Sequence, residues 1–202
     1  MIKVLILGAN GFVGKNIASV FHKEGKIELF RTSREPKYTE VYFDLLQKAS
    51  WSSIIDINPD FIIDASGYGV VKNQTDLDSL YKVNYLLKRE FIDYIFQKLP
   101  NVFWIQIGTA FEYSLEEEGL TEESGCFPKT HYGISKLLFS IYLKEVVKER
   151  FSIIRPFAMF GEGEDISKFF PMLIYAQKKG VKVDLSDGSQ YRDCLLYTSR
   201  RG

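Results

Sequence analysis

The stretch "HYGISK" places Tyr132 and Lys136 four residues apart, in a segment whose apolar residues recur at helical spacing. Residues at i and i+4 lie on one face of a helix, so the phenol and the ammonium would be neighbours. A tyrosine phenol has a pKa of about 10, and a nearby ammonium would lower that pKa by favouring the phenolate. The pair could therefore move a proton on and off a substrate oxygen. A Tyr–Lys pair at this spacing, taken alone, is more often structural.

A hydroxyl group follows a buried strand elsewhere in the chain. The stretch "IQIGTAFEY" places Thr109 directly after an apolar run, where its side chain could reach the same substrate oxygen. Ligands of parallel sheets bind beyond the carboxyl ends of the strands. We therefore predict a proton-transfer site formed by Thr109, Tyr132 and Lys136.

The N-terminal stretch "LGANGFVG" contains Gly8, Gly11 and Gly14 in a GxxGxxG pattern rather than GxGxxG. The apolar run "IKVLIL" precedes it, and a segment with helical spacing follows, so the glycines lie on a turn from a buried strand into a helix. Glycines let the backbone approach an anion, and the helix N-terminus offers N–H donors and a positive dipole end. This context favours binding of a dinucleotide diphosphate, and the alternative is an ordinary tight turn.

Short apolar strands alternate with helical segments along the whole chain. Strands are expected at Lys3–Leu7, Ile27–Phe30, Glu40–Phe43, Phe61–Ala65, Val102–Ile107 and Phe151–Arg155, and long helices at Leu77–Leu99 and His131–Glu149. This alternation is typical of right-handed βαβ units, in which helices cover both faces of a parallel sheet. The predicted fold class is α/β, with a Rossmann-type doubly wound parallel sheet.

The composition excludes several classes of protein. Lys plus Arg equals Asp plus Glu, 26 each, so no basic surface is expected to bind nucleic acid or an anionic membrane. No segment approaches the roughly 20 apolar residues of a membrane helix. Cys126, Cys194 and two histidines suit neither a disulfide framework nor a metal site. We expect a cytoplasmic protein without metal.

Four stretches, "GANGFVG", "IGTAFEY", "HYGISK" and "IIRPFAMFGEG", resemble in order and separation the extended short-chain dehydrogenase/reductases. The similarity is to NAD(P)-dependent epimerases, dehydratases and reductases of nucleotide-activated sugars, and it runs from Met1 to about Asp193. The resemblance implies that Tyr132 is the acid/base. Lys136 would lower the pKa of Tyr132 and hold the nicotinamide ribose, and Thr109 would hydrogen-bond the reacting oxygen.

The resemblance also implies contacts for the rest of the cofactor and for the substrate. The implied cofactor contacts are Gly8, Asn10, Gly11, Phe12, Val13 and Gly14 in the first turn, Asp44 at the adenine, Ala65, Ser66 and Gly67 along the phosphates and ribose, Asn84, and Arg155, Pro156 and Phe157 beside the nicotinamide. The implied substrate contacts are Thr109, Phe111 and Arg192, the last at the substrate diphosphate. For Asp44 and Asn84, a local cap or a helix-to-loop hydrogen bond is an open alternative.

The end of the second strand bears on the choice between NAD and NADP. An NAD site usually has Asp or Glu there, which accepts from the ribose 2′-hydroxyl. This chain has Thr32, Ser33 and Arg34, and an arginine suits a 2′-phosphate through bidentate contacts. We expect NADP to be preferred, which favours a reductase; alternatively, Arg34 is a solvated loop residue.

Two positions after Thr109 bear on the reaction. In similar sugar dehydratases an Asp-Glu pair follows the matching residue, whereas this chain has Ala110 and Phe111, which cannot transfer protons. A 4,6-dehydratase is therefore disfavoured, and a 4-ketoreductase or a 4-epimerase remains. Reduction of a small carbonyl compound outside the nucleotide sugars stays open. The alternative from another class is a non-catalytic, NAD(P)-sensing regulatory protein of the same fold.

The sequence suggests three regions. Residues 1–165 would form the NAD(P)-binding domain, and residues 166–193 would begin a C-terminal substrate lobe that is largely missing. Residues 194–202, "CLLYTSRRG", resemble a translated transposon-derived sequencing adapter and are expected to be a non-native tail. Such a truncated chain could bind its cofactor without turnover. The resemblance further implies a homodimer packed through the helices Leu77–Leu99 and His131–Glu149.

Overall fold

The structure is a computed structural model that describes residues 1–35, 41–71, 73–114 and 119–189, together with the backbone of 194–196. Six parallel strands form the main sheet, in the order β3-β2-β1-β4-β5-β6. The strands are β1 (Ile2–Leu7), β2 (Ile27–Ser33), β3 (Val41–Tyr42), β4 (Phe61–Asp64), β5 (Phe103–Ile107) and β6 (Phe151–Ile154). This order, with helices on both faces, confirms the predicted doubly wound α/β fold.

The six predicted strands agree with the structure to within a few residues, and β2 differs most. It continues three residues beyond the predicted end at Phe30, through Ser33, because Thr32 and Ser33 pair with Val41 and Tyr42 of β3. The predicted first residue of β3, Glu40, lies outside the described residues.

Helices follow the strands and cover the sheet. They are α1 (Phe12–Phe21), α2 (Ser52–Ile57) after a 3-10 turn (Lys48–Trp51), α3 (Leu77–Tyr81), α4 (Leu87–Lys98), α5 (His131–Val147) and α6 (Phe169–Lys179). A further 3-10 turn, Ala110–Glu112, follows β5. None of the described helices is long and apolar enough to cross a membrane.

The predicted helix Leu77–Leu99 is confirmed over residues 77–98, but it is not regular α-helix throughout. A π-helical turn, Lys82–Leu86, separates α3 from α4. The extra residue of such a turn changes which side chains face inward, and it brings Asn84 to complete burial. Apolar periodicity spans both halves of the segment, so it did not reveal the interruption.

Two apolar clusters hold the helices on the sheet. On one face Leu5, Ile62 and Trp104 of the strands pack with Phe91 of α4 and Phe139 of α5, all less than 2% exposed. The other face is covered by α1, through residues that include Ala18 and Ile17. Because the strands are buried on both faces, their apolar runs are nearly continuous.

A smaller unit follows the main sheet. The strand β7 (Ala158–Phe160) pairs in parallel with β8 (Cys194–Leu196), and α6 lies between them in the chain. The predicted boundaries at residues 165 and 193 and the non-native origin of 194–202 stay predictions. Arg192 lies outside the described residues.

Candidate functional site

The glycine turn joins β1 to α1 by close backbone packing. Gly8 has a φ of +72°, and a Cβ atom there would lie 2.8 Å from the backbone nitrogen of Ser66. The amide of Gly11 donates to the carbonyl of Gly8 at 3.0 Å, and the buried Gly14 packs on the same turn. The first turn of α1 carries neither a side-chain cap nor an acidic residue. This cradle, open to backbone approach at the positive end of a helix, fits a dinucleotide diphosphate.

The end of β2 lies beside this turn. The side-chain amide of Asn10 donates to the Ser33 hydroxyl at 2.9 Å, so two residues expected at the cofactor lie together. Thr32 points inward and donates to the carbonyl of Ile6 at 3.1 Å. Arg34 is exposed, and a second exposed cation, Arg31, lines a groove of about 530 Å³ that also includes Asn10. The sequence analysis considered Thr32, Ser33 and Arg34 and did not identify Arg31.

Asp44 makes local contacts. Its carboxylate accepts from the backbone amide of Leu46 at 3.0 Å and from the side chain of Gln47 at 3.4 Å. These are the contacts of a turn that leads into the following 3-10 helix, so the geometry agrees with the open alternative of a local cap. An adenine contact stays a prediction.

The loop after β4 contains Ala65, Ser66 and Gly67 and lies over the glycine turn. Asp64, the last residue of β4, accepts from the backbone amide and the hydroxyl of Ser66 at 2.9 and 2.5 Å. Lys88 of α4 donates to the carboxylate of Asp64 at 2.5 Å and to the carbonyl of Ser66 at 2.8 Å. Sequence reasoning did not identify Asp64 or Lys88.

Asn84 holds the same loop at Tyr68 through hydrogen bonds. Its side-chain oxygen accepts from the amide of Tyr68 at 2.9 Å, and its nitrogen donates to the carbonyl of Tyr68 at 2.9 Å. The same nitrogen donates to the hydroxyl of Ser135 on α5 at 3.0 Å. Asn84 therefore joins the loop, the π-helical turn and α5, which agrees with a buried structural contact.

Thr109 begins the 3-10 turn that follows β5. Its hydroxyl oxygen accepts from the amide of Phe111 at 3.3 Å, while its own amide donates to Glu112 at 3.0 Å. This reciprocal arrangement is a capping box, and it leaves the hydroxyl proton of Thr109 available to another acceptor. Thr109 is 7% exposed, so few orientations are open to it.

The first turns of α5 bring Tyr132 and Lys136 to this turn. Gly133 packs directly on the carbonyl of Phe111, and the rings of Phe111 and Tyr132 meet edge to face with 6.5 Å between their centroids. Lys136 is 5% exposed and donates to the carbonyl of Ile107 at 2.7 Å. The structure therefore brings together the three residues expected to transfer protons, at the carboxyl end of β5.

Lys136 was expected to lower the pKa of Tyr132, but in the structure the pKa of Tyr132 is raised. Burial raises the pKa of Tyr132 to about 12, and the Glu112 carboxylate adds to the rise. Burial also lowers the pKa of Lys136 to about 7; Lys88 lowers it further, and Asp64 and Glu112 oppose the shift. The pKa of the Tyr132 phenol is thus set by desolvation and a carboxylate rather than by the ammonium of Lys136.

Arg155 and Pro156 form the wall behind Thr109. The guanidinium of Arg155 donates to the Glu112 carboxylate at 2.8 Å and to the Tyr113 hydroxyl at 3.0 Å. The carbonyl of Pro156 accepts from the amide of Ala110 at 3.0 Å, and Phe157 beyond it is half-buried. Arg155 is thereby fixed in place, while contact with a nicotinamide stays a prediction.

Glu112, Asp64 and Lys88 are the polar residues of this region that sequence reasoning missed. Glu112 had a detectable signal, because "TAFE" matches the capping-box pattern of Thr followed three residues later by Glu. Asp64 and Lys88 are 24 residues apart in the chain, and no sequence pattern links them. Among the described residues no group of His, Cys, Asp and Glu is placed to bind a metal ion.

Comparison with known proteins gives sequence relatives along most of the chain. It is 28% identical over 201 residues to GDP-6-deoxy-D-talose 4-dehydrogenase of Aggregatibacter actinomycetemcomitans. It is 26% identical over 198 residues to CDP-abequose synthase of Salmonella muenchen. Each alignment covers 96% of this chain and 65% of the relative, so the chain spans about two thirds of the length of these curated relatives.

The fold has close structural neighbours as well. The crystal structure of UDP-glucuronic acid 4-epimerase from Bacillus cereus, in complex with UDP-glucuronic acid and NAD, superimposes with a TM-score of 0.82. The identity is 17%, and the match covers 97% of this chain and 69% of that one. Residues 4–197 also match a described protein family. With that match over nearly its whole length, the chain belongs to the NAD dependent epimerase/dehydratase family.

Proposed function

We propose that this chain provides the NAD(P)-binding and proton-transfer part of an enzyme that acts on a nucleotide-activated sugar. The reaction would be a hydride transfer at carbon 4 of the sugar, as a 4-ketoreductase or a 4-epimerase, and the first of these has the better support. Residues 1–165 would form the dinucleotide-binding part, and residues from 166 onward would contact the sugar nucleotide.

One observation carries this proposal. Thr109, Tyr132 and Lys136 come from two separate elements and meet at the carboxyl end of β5, on the edge of the sheet to which the glycine turn also belongs. Parallel sheets bind their ligands at this edge. A phenol, an ammonium and a hydroxyl gathered there suit the transfer of a proton to or from one oxygen.

The charge states favour reduction. A bound reduced nicotinamide would supply the hydride to the carbonyl carbon. Because the pKa of Tyr132 is about 12, its phenol is protonated at neutral pH and can donate the proton that the carbonyl oxygen needs. Thr109 keeps its hydroxyl proton for the same oxygen, since its own oxygen accepts from the Phe111 amide. The buried Lys136 would hold the ribose hydroxyl groups beside the phenol.

Dehydration has less support. Ala110 and Phe111 offer no proton-transfer group, and the next acidic residue, Glu112, is fully buried. The Glu112 carboxylate accepts from the Thr109 amide, from the Ser140 hydroxyl and from Arg155. With its oxygens occupied in this way, Glu112 is no substitute for the missing acidic pair.

The surroundings of Ser33 support NADP as the preferred cofactor. No carboxylate ends β2, and the Ser33 hydroxyl stands beside the amide of Asn10. The exposed cations Arg31 and Arg34 flank this position, and a guanidinium binds a 2′-phosphate through paired hydrogen bonds. A free NADPH that is consumed in each turnover also suits a reductase.

The substrate class rests on the relatives. GDP-6-deoxy-D-talose 4-dehydrogenase, CDP-abequose synthase and UDP-glucuronic acid 4-epimerase are named for nucleotide-linked sugars or their synthesis, and two of the names specify position 4.

A homodimer is proposed through α4 and α5. In and next to these helices, Leu86, Leu138 and Ile141 are between 36% and 50% exposed.

Fluorescence titration with NADPH and NADH, followed by NADPH consumption with a panel of 4-keto nucleotide sugars, tests the proposal. We expect tighter binding of NADPH, weakened by Arg31→Ala or Arg34→Ala and unaffected by Lys23→Ala, an exposed cation beyond α1. Tyr132→Phe should retain binding and lose consumption of NADPH, whereas Tyr42→Phe should retain both. Absence of binding to either dinucleotide would contradict the proposal, and so would consumption of NADPH that Tyr132→Phe leaves unchanged.

A further inference from the structure

The loop after β4 (residues 65–70, the β4 loop) is held by backbone only at its first residue, where the amide of Ala65 donates to the carbonyl of Leu7 at 3.0 Å, and by side chains beyond it. Four of its amides donate to side-chain oxygens, Ser66 to Asp64, Tyr68 to Asn84, and Gly69 and Val70 to Gln74. Its carbonyls are bound in the same way, Ser66 by Lys88, Tyr68 by Asn84 and Val70 by Lys168. The position of the loop therefore depends on a few side chains that can be changed individually.

Asp64 and Lys88 form the most deeply buried of these contacts. Their side chains are 1% and 3% exposed, and the ammonium lies 2.5 Å from the carboxylate. Each of the two also contacts Ser66, Asp64 through the amide and hydroxyl and Lys88 through the carbonyl. The pair therefore fixes both the amide and the carbonyl of one residue, Ser66, in the β4 loop.

Ser66 lies directly against the glycine turn. Its backbone packs against Gly8 so closely that a Cβ atom on Gly8 would lie 2.8 Å from both the Cα and the nitrogen of Ser66. On the other side, Asp64 pairs in register with Gln106 of β5, the neighbour of Ile107, whose carbonyl accepts from Lys136. The pair thus acts on the cradle for the diphosphate through Ser66 and lies close to the strand end that binds Lys136.

We infer that Asp64 and Lys88 are positioning residues for the dinucleotide, which hold the β4 loop against the glycine turn and set the electrostatic field at Lys136. The first part of the inference rests on the proposed binding of NAD(P). The second part rests on the two buried charges and on the strand pairing that places Asp64 near Lys136. Neither residue touches the reacting atoms.

A purely structural role explains the pair poorly. Removing two charges from water is costly, and apolar residues of similar size often replace a buried ion pair with no loss of stability. An apolar pair could not, however, donate to the carbonyl of Ser66 and accept from its amide at once. Nor could it place a negative and a positive charge beside the ammonium of Lys136.

The charged groups that act on Lys136 come from three elements. They are Asp64 of β4, Lys88 of α4 and Glu112 of the 3-10 turn. Lys88 lowers the pKa of Lys136, and Asp64 raises it. Replacing one member of the pair should therefore shift the titration of Lys136 in the direction opposite to that caused by replacing the other.

The direct test is NMR titration of lysine side chains labelled at the ε-carbon, with the Lys136 signal assigned from Lys136→Met. Lys88→Met should move the midpoint of Lys136 to higher pH, and Asp64→Asn should move it to lower pH. The matched control is Lys48→Met, which removes the exposed ion pair of Lys48 with Glu90 of α4 and should leave the midpoint unchanged. Shifts of the same sign, or none, would overturn the electrostatic part.

Dinucleotide titration tests the positioning part on the same proteins. Lys88→Met should weaken the binding of NADPH by about threefold to thirtyfold, the usual range for residues that act through others, while Lys48→Met leaves it unchanged. If Lys88→Met does not fold, the double variant Asp64→Asn with Lys88→Gln replaces it. This neutral pair should also bind NADPH more weakly than the wild type, and it should shift the titration midpoint of Lys136 less than Lys88→Met. Wild-type affinity in a folded variant would overturn the inference. Absence of binding by the wild type would overturn the positioning part together with the proposed function, and the NMR titration still decides the electrostatic part.

Discussion

Gly133 on α5 packs so closely on the carbonyl oxygen of Phe111 that a Cβ atom at residue 133 would overlap with it. This contact joins the element that carries Thr109 to the helix that carries Tyr132 and Lys136. Neither β5 nor α5 could assemble the three side chains alone, so the spacing of the two elements decides whether a single substrate oxygen can reach them all.

Gly133→Ala should therefore disturb the site as well as the fold. The helix would gain from alanine, but the overlap involves backbone that no change of rotamer relieves, and overpacking of this kind costs about 1–3 kcal/mol. Urea unfolding measures the loss of stability, and a lower rate of NADPH consumption reports that Tyr132 is displaced. Gly25→Ala is the control, because nothing lies within 4 Å of the added methyl group. Equal stability of the two variants would contradict the close contact.

A second prediction concerns Glu112, which affects both the stability of the fold and the pKa of Tyr132. It is fully buried and holds Arg155, whose side chain is 9% exposed. Glu112→Ala therefore leaves a largely buried cation with only the Tyr113 hydroxyl as acceptor, and it should cost up to about 3–5 kcal/mol. Glu112→Gln keeps an acceptor for the Thr109 amide and should cost less. Because the Glu112 carboxylate raises the pKa of Tyr132, Glu112→Gln should also lower that pKa.

Urea unfolding and the pH dependence of NADPH consumption measure these two effects. Glu145→Gln on the exposed face of α5 is the matched control and should change neither. Glu112→Ala as stable as the wild type would show that the ion pair with Arg155 does not hold the wall of the site. An unchanged pH profile for Glu112→Gln would remove the carboxylate as a cause of the raised pKa of Tyr132.

The fold was largely predictable because its signals are local. Continuous apolar runs identified the strands, and the glycines before "KNIASVF" identified the first turn, since each depends on neighbouring residues only. The site was predictable where motif and topology agree, as for Tyr132 and Lys136 on one helix. What stayed hidden depends on distance in sequence, such as Lys88 reaching Asp64, or on burial, which overturned the expected pKa of Tyr132.

The π-helical turn suggests a prediction at Asn84. Its side chain is completely buried and hydrogen-bonds Tyr68 in both directions and Ser135 as well. Asn84→Ala leaves the part-buried amide and carbonyl of Tyr68 without this partner, at up to about 1–3 kcal/mol for each group that stays unsatisfied. Urea unfolding should show this loss, and hydrogen exchange should be faster at the amide of Tyr68. The exposed Asn101→Ala is the control, and a loss no larger than its own would contradict the role of Asn84.

The titration of Lys136 predicts how stability depends on pH. Its pKa is about 7 in the folded chain, below the 10.5 of an exposed lysine, because burial disfavours the ammonium. Between these values the unfolded chain binds a proton that the folded chain has released, so the free energy of unfolding should rise with pH from about 7 upward. Tyr132 acts the other way above pH 10, since the folded chain keeps the phenol proton up to about pH 12.

Urea unfolding at a series of pH values between 7 and 10 measures this rise. Lys136→Met removes the titrating group, so its free energy of unfolding should change less with pH than that of the wild type. Lys144→Met changes an exposed lysine on the same helix and should keep the wild-type slope. If wild type and Lys136→Met show the same slope, Lys136 is charged in the folded chain throughout this range, and the ammonium rather than the amine would then face the substrate.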